Sequence, residues 1–411
     1  MTEALWTPSA QRIGATRMDA FRRFINQRHG LELRDYPALH QWSIDQREHF
    51  WQAIVDVFGI EFHTRPSAVL IEGAQMPSAQ WFPGATLNFA EHLLRRRDDY
   101  PAVISVSEDG QRMQLTYAEL AAHVAGLQQS LRAVGVGVGD RVAACLPNTW
   151  QTLVAMLATT SLGAIWSCSS PDFGTQGVID RFGQIEPKVL LTCAGYHYAG
   201  KSIDQTAKIN EILERLPSLQ QLIIVPYARP EARVEDFQTP ANVALWDDFY
   251  SVGGEPYFVA VPFAHPLYIL YSSGTTGVPK CIIHSAGGVL LQHVKEQGLH
   301  ADMGRDDCLF YYTTCGWMMW NWLVSGLALG ATVVLYDGSP FYPGPQRLMD
   351  LIDDENISVF GTSAKYLAEL ERHAIQPRLT HRLTRLKTLL STGSPLAASS
   401  YNYVYREIKE D

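Results

Sequence analysis

The spacing of apolar positions changes character along this chain of 411 residues. In the first part it is helical: Phe50, Trp51, Ile54, Val55 and Phe58 recur at three- and four-residue steps, which predicts a packed surface helix over 43–58. Trp81-Phe-Pro-Gly84 breaks that pattern. From Tyr100 onward short apolar runs alternate with helical stretches. Runs at 102–106 and 113–115 flank Asp109-Gly110, a hairpin turn signal. Thr116 and Glu119 fit a capping box that opens a helix through Arg132. Strands are predicted at 141–146, 164–168, 189–192 and 222–225, with an apolar helix over 149–162 between the first two. A polar stretch over 227–239 reads as an exposed connection.

A second alternating block follows. Strands are expected at 308–312, 331–336, 359–360 and 386–390, and helices at 317–329, 345–355 and 364–373, with an amphipathic stretch over 401–411. Strand and helix by turns predict an α/β fold with largely parallel sheet. No internal repeat and no low-complexity segment interrupts it.

Composition narrows the function classes. Apolar residues make up 46% and charged residues 18%, enough for a sizeable core and too apolar for disorder. With 33 basic against 42 acidic residues the net charge is −9, which argues against a general nucleic-acid binder; an anion site must come from local geometry. The six cysteines show neither a CxxC pair nor zinc spacing with histidine, so they read as reduced thiols, mostly core. With neither an apolar signal region nor a membrane-spanning run, a cytoplasmic protein is expected, with no membrane partner.

The candidate chemistry lies at 271–280, Tyr-Ser-Ser-Gly-Thr-Thr-Gly-Val-Pro-Lys, after the apolar run 267–270. Gly274 and Gly277 allow tight turns that bring backbone N–H groups against a ligand. Ser272, Ser273, Thr275 and Thr276 add hydroxyls, and Lys280 adds a positive charge. Such convergent donors suit a polyphosphate. The glycine spacing is not that of a Walker A loop, and Pro279 argues against a helix directly after it. As composition alone, the same stretch reads as an ordinary surface loop.

The ten-residue string resembles the phosphate loop of the adenylate-forming superfamily of acyl-CoA synthetases, luciferases and peptide-synthetase adenylation domains. The likeness extends along the chain. Residues 30–90 resemble the N-terminal extension of acetyl-CoA synthetases through Trp81-Phe-Pro-Gly84 and Leu87-Asn88. Thr116-Tyr117, the turn at 139–142 and Pro147-Asn148 are similar to core segments, as are 312–321, 360–364 and 391–396.

The resemblance implies a division into an extension over 1–95 and a partial AMP-binding domain over 96–411. The implied fold is α/β: the large N-terminal domain of an adenylate-forming enzyme, stacked sheets with flanking helices, incomplete and lacking the small C-terminal domain. The implied activity is AMP-forming acid–thiol ligation using ATP with Mg2+ and CoA, with acetoacetate the favoured acid. Ser272, Ser273, Gly274, Thr275, Thr276, Gly277 and Lys280 would face phosphates. Gly393, Ser394 and Pro395 match a Gly-Glu-Pro segment that borders adenine and ribose, with Ser394 in place of the glutamate. Trp317, Met318 and Met319 align with acyl-pocket positions; an apolar pair there also reads as core. Lys201 in Tyr198-Ala-Gly-Lys201 matches a CoA-contacting Arg-Ala-Gly-Arg segment, with one cation lost at Tyr198.

The family's metal segment, ribose aspartate and catalytic lysine find no match, so the catalytic groups are expected beyond Asp411 and the chain is expected to be a truncated, inactive form. Asp306-Asp307 and Asp353-Asp354 read as solvated pairs. The alternatives are a non-catalytic nucleotide-binding remnant and an acetyl- or propionyl-type ligase.

Overall fold

In the computed structural model, residues 4–272 and 277–410 are described. Two sheets carry the architecture, and their strands alternate with helices as the apolar pattern predicts. In chain order the strands used below are β1 (Pro101–Ser107), β2 (Arg112–Thr116), β3 (Arg141–Cys145), β4 (Ile165–Ser169), β5 (Val189–Cys193), β6 (Gly195–Tyr198), β7 (Lys201–Asp204) and β8 (Gln221–Val225). They continue with β9 (Asn242–Leu245), β10 (Pro266–Tyr271), β11 (Cys281–Ser285), β12 (Cys308–Tyr311), β13 (Thr332–Asp337), β14 (Val359–Ser363) and β15 (Thr388–Thr392).

The first sheet has seven strands in the order β9-β8-β5-β3-β4-β10-β11, all parallel except the β10–β11 pair. The second has six in the order β15-β14-β12-β13-β1-β2, parallel except for the β1–β2 hairpin. β6 and β7 form a separate antiparallel hairpin after β5.

Alternation along the strands sorts side chains into layers. Val142 and Ala144 of β3 and Val333 and Leu335 of β13 enter one shared central cluster. Their neighbours turn outward: Ala143 and Cys145 join a cluster with Val178, Phe182 and Ile212, while Val334 and Tyr336 join one with Leu348, Ile352 and Leu367. The helices Tyr117–Ala133 and Trp150–Ser161 supply Leu120, Val124, Leu153 and Leu157 to the centre. The result is helix, sheet, helix, sheet, helix, with the inner strands of both sheets buried on both faces and the edge strands β2 and β11 largely exposed. Phe82, Phe89 and Leu93 of the N-terminal region enter the same centre.

Several expectations change. The last strand is shifted by two residues, because Leu386 leaves the ladder to bury in the outer cluster while β15 runs to Thr392. The predicted exposed connection is only partly so, since Ala232 and Phe237 are buried. The acidic pairs are not simply solvated. Asp307 is buried, accepts from Gly304 N–H at 2.8 Å and Ser358 Oγ at 2.7 Å, and pairs with Lys387 at 3.0 Å. Asp353 accepts from the N–H groups of Arg382 and Leu383, each at 2.7 Å. Five cysteines are buried and Cys281 is exposed. Among the described residues no helix is long and apolar enough to cross a membrane.

Candidate active site

In parallel sheets the loops leaving the C-terminal strand ends are the natural place for a ligand. The candidate segments leave there. The phosphate loop follows β10, Trp317 and Met318 lie on the chain leaving β12, Gly393 follows β15, and the hairpin carrying Lys201 follows β5.

The candidate phosphate loop lies between the antiparallel partners β10 and β11; a strand, not a helix, follows it, as Pro279 suggests. Its ends are closed by Ser272 N–H donating to the Lys280 carbonyl at 3.0 Å and Lys280 N–H donating to Ser272 Oγ at 3.1 Å. Gly277 has φ +97°, a left-handed conformation that glycine adopts without strain. Lys280 is exposed. Before the loop, Tyr271 OH bonds Ser167 Oγ at 2.9 Å and the Arg181 guanidinium sits 5.7 Å from its ring. Ser273, Gly274, Thr275 and Thr276 lie outside the described residues.

The strand ends of the two sheets are joined by a polar hub in which Asn148 is buried and Asp337 and Tyr227 are half-buried. Asp337, last residue of β13, accepts from Asn148 N–H at 3.0 Å and from Tyr227 OH at 2.9 Å. Burial pushes its carboxyl up to about 6, against the pull of those two donors. Burial and the adjacent Asp337 push the Tyr227 phenol well up, which keeps it a donor. The Asn148 amide donates to the carbonyls of Thr313 and Tyr336 and accepts from Trp320 Nε1 at 2.8 Å. One side chain at the end of β3 thus fixes both the end of β13 and the segment leaving β12.

That segment bears Trp317 and Met318, both exposed, at 56% and 44%. Met318 and Met319 are therefore not a core pair: Met318 is exposed and Met319 alone packs against the central cluster. Gly316 lies so close to the end of β4 that a Cβ there would meet Ser170 N at 3.3 Å and Phe173 at 3.2 Å. The acyl-pocket candidates are thus held against the first sheet by a close backbone approach.

Lys201 and Tyr198 are register partners flanking the two-residue turn Ala199-Gly200, and both are exposed. Gly393, with φ +92°, Ser394 and Pro395 are also exposed, beyond the edge strand β15. Ser394 and Pro395 help line a cavity of about 450 Å³ shared with Trp6, Leu389, Tyr401 and Lys409. Among the described residues no hydrogen bond links them to Lys280. A more apolar cavity of about 630 Å³, lined by Trp51, Trp81, Phe82, Phe263 and Leu291, lies against the N-terminal region and contains none of these candidates.

Sequence reading missed the hub. Its signal was a single acid, Asp337, ending an apolar run opposite Pro147-Asn148; only the meeting of two sheets gives that acid its partners.

Comparison with known proteins follows the same lines. The AMP-binding enzyme family matches residues 89–409, and the acetyl-coenzyme A synthetase N-terminus matches residues 36–93. An acetoacetyl-coenzyme A synthetase of Rhizobium meliloti (strain 1021) is 47% identical over 408 residues, covering 99% of this chain and 62% of that protein. Malonamoyl-CoA synthetase vrtB of Penicillium aethiopicum is 44% identical over 433 residues, covering 98% of this chain and 59% of that protein. The solved acetoacetyl-CoA synthetase from Streptomyces lividans superposes with a TM-score of 0.93 at 42% identity, covering 99% of this chain and 62% of that one. The chain thus spans about three fifths of the length of these relatives.

Proposed function

Because the chain belongs to the AMP-binding enzymes, we propose that the full-length form of this protein joins acetoacetate to CoA with ATP, through an acyl-adenylate. The observation that carries this reading is 47% identity, over 99% of the chain, to an enzyme named for that product. In the first half-reaction the acid's carboxylate attacks the α-phosphate of Mg-ATP and releases pyrophosphate. In the second, the CoA thiol attacks the acyl carbonyl and AMP leaves. Both steps depend on charge stabilisation and alignment.

The residue roles follow from the family resemblance. Ser272, Ser273, Gly274, Thr275, Thr276 and Gly277 hold the β- and γ-phosphates, with Lys280 adding charge at the loop's end. Gly393, Ser394 and Pro395 border the nucleoside. Trp317, Met318 and Met319 shape the acid's slot, which the exposure of the first two supports. Lys201 meets a CoA phosphate. The setting is cytoplasmic. A second reading is favoured by the malonamoyl-CoA relative: the slot accepts short acids with a carbonyl at the third carbon, of which acetoacetate is one.

The test is acid-dependent pyrophosphate exchange by the protein across acetoacetate, malonamate, acetate and propionate. Acetoacetate should give the largest kcat/KM; a preference for acetate or propionate refutes the acid while leaving the ligase class. The double substitution Thr275→Ala, Thr276→Ala removes two hydroxyls, each worth about 1.5–3 kcal/mol when bonded to charge. It should depress exchange at least tenfold without changing the circular dichroism spectrum. Unchanged exchange means the loop does not hold phosphates.

A further inference from the structure

The turn that presents Lys201 is not held by its own hairpin alone. Ala199 and Gly200, its two central residues, have φ +51° and +79°. Both lie in the left-handed region, which is costly for alanine, and successive N–H groups in such a turn converge on one side as an anion cradle. A carboxylate from the other sheet fills that cradle. Glu108, the residue after β1, accepts from Gly200 N–H at 2.7 Å and Ala199 N–H at 2.9 Å. It also accepts from Ser339 N–H, on the chain leaving β13, at 2.7 Å. Among the described residues no lysine, arginine or histidine forms an ion pair with Glu108, and none of the ion pairs found involves Lys201.

The fit leaves little slack. A Cβ on Gly200 would lie 2.8 Å from the Tyr342 ring, and one on Gly338 would lie 2.7 Å from Glu108 Cβ. A second tie lies one residue on: Asp109, at 3.5 Å from His197 Nε2, reaches β6. The hairpin therefore takes its position from the second sheet, through a charge answered by backbone N–H groups.

We propose that Glu108 is a positioning residue for the CoA half-reaction: it clamps the Ala199-Gly200 turn so that Lys201 meets a phosphate of the thiol substrate. This rests on the reading of Lys201 given above. Adenylate formation, which needs no CoA, lies outside its reach.

The experiment measures both half-reactions and amide hydrogen exchange in the protein with Glu108→Ala and Glu108→Gln. For Glu108→Ala the CoA KM should rise about tenfold, the equivalent of one charge-assisted hydrogen bond, with kcat and acid-dependent pyrophosphate exchange within twofold of wild type. Glu108→Gln, which keeps an acceptor oxygen, should recover part of the loss. Amide exchange should quicken over 195–204 and 338–342 and nowhere else. Unchanged amide exchange in the hairpin overturns the proposal, and so does an equal loss of both half-reactions. Lys201→Ala separates the two readings. If it leaves the CoA KM unchanged while Glu108→Ala raises it, the lysine's phosphate contact fails and the clamp stands. If Lys201→Ala raises the KM and Glu108→Ala does not, the clamp alone is refuted.

Discussion

Asp337 is a half-buried carboxylate held by two donors at the end of β13. Its carboxyl is raised from 3.8 to about 6, by burial first, with Asn148 N–H and Tyr227 OH pulling the other way. The sign of its effect on stability follows. A folded-state value above the unfolded one means that the folded chain holds this proton to higher pH. The contribution is full below about 4 and is lost as pH rises through about 6. A shift of about two units corresponds to about 3 kcal/mol in all, of which roughly 1–1.5 kcal/mol falls between pH 5 and 7.5 by the same linkage. Asp337→Asn removes that titration while leaving an oxygen for Tyr227. Wild type minus variant, measured by denaturant unfolding at pH 5 and pH 7.5, should shift by that amount, the wild type gaining at pH 5. A pH-independent difference would mean the carboxylate is ionised across the whole window.

At the scale of elements, local signals were legible and lateral ones were not. Thr116 and Glu119 were read as a capping box, and both halves are present: Glu119 N–H donates to Thr116 Oγ1 at 3.1 Å and Thr116 N–H donates to Glu119 Oε2 at 2.8 Å. Thr116→Ala should therefore cost about 1 kcal/mol in thermal unfolding, while a loss under 0.3 kcal/mol would show that tertiary packing alone holds the Tyr117–Ala133 helix. The Asp109-Gly110 turn was legible for the same reason, since a turn is a contact between near neighbours. The strand β11 and the helix Ala286–Lys295 were passed over, because Cys281–Ser285 is a short run whose three central positions are exposed or half-exposed rather than buried. Asn148 marks the limit. Its neighbourhood joins residues 165 and 188 positions away in sequence, and no spacing rule reaches that far. Asn148→Ala leaves Trp320 Nε1 and two carbonyls unpaired. It should destabilise by about 2–4 kcal/mol and raise the KM for the acid more than that for ATP, through the segment leaving β12. Equal effects on both would place its role in stability alone.

For the whole molecule, the order of the chain predicts how it unfolds. The second sheet takes β1 and β2 from before the first sheet and β12 to β15 from after it, with β13 pairing β1 over five register positions. The two sheets also share one central cluster through Val142, Leu191, Val103 and Leu335. The second sheet therefore cannot close its ladder until its two segments meet across the first, and the first, although contiguous over 141–285, lacks the shared apolar layer until the second is in place. Chains of this size are not obliged to unfold in one step, which gives the prediction content. Ile223→Ala, in the first sheet, and Phe310→Ala, in the second, each empty a site with 0% exposure. By large-to-small costs they should destabilise by about 2–5 and about 3–5 kcal/mol. Both variants should show a single calorimetric transition, moved down as a whole, with their effects additive in the double variant because the sites are in different sheets. Two resolved transitions, each sensitive to one substitution only, would mean that the sheets fold as separate units and that the interleaved topology does not couple them.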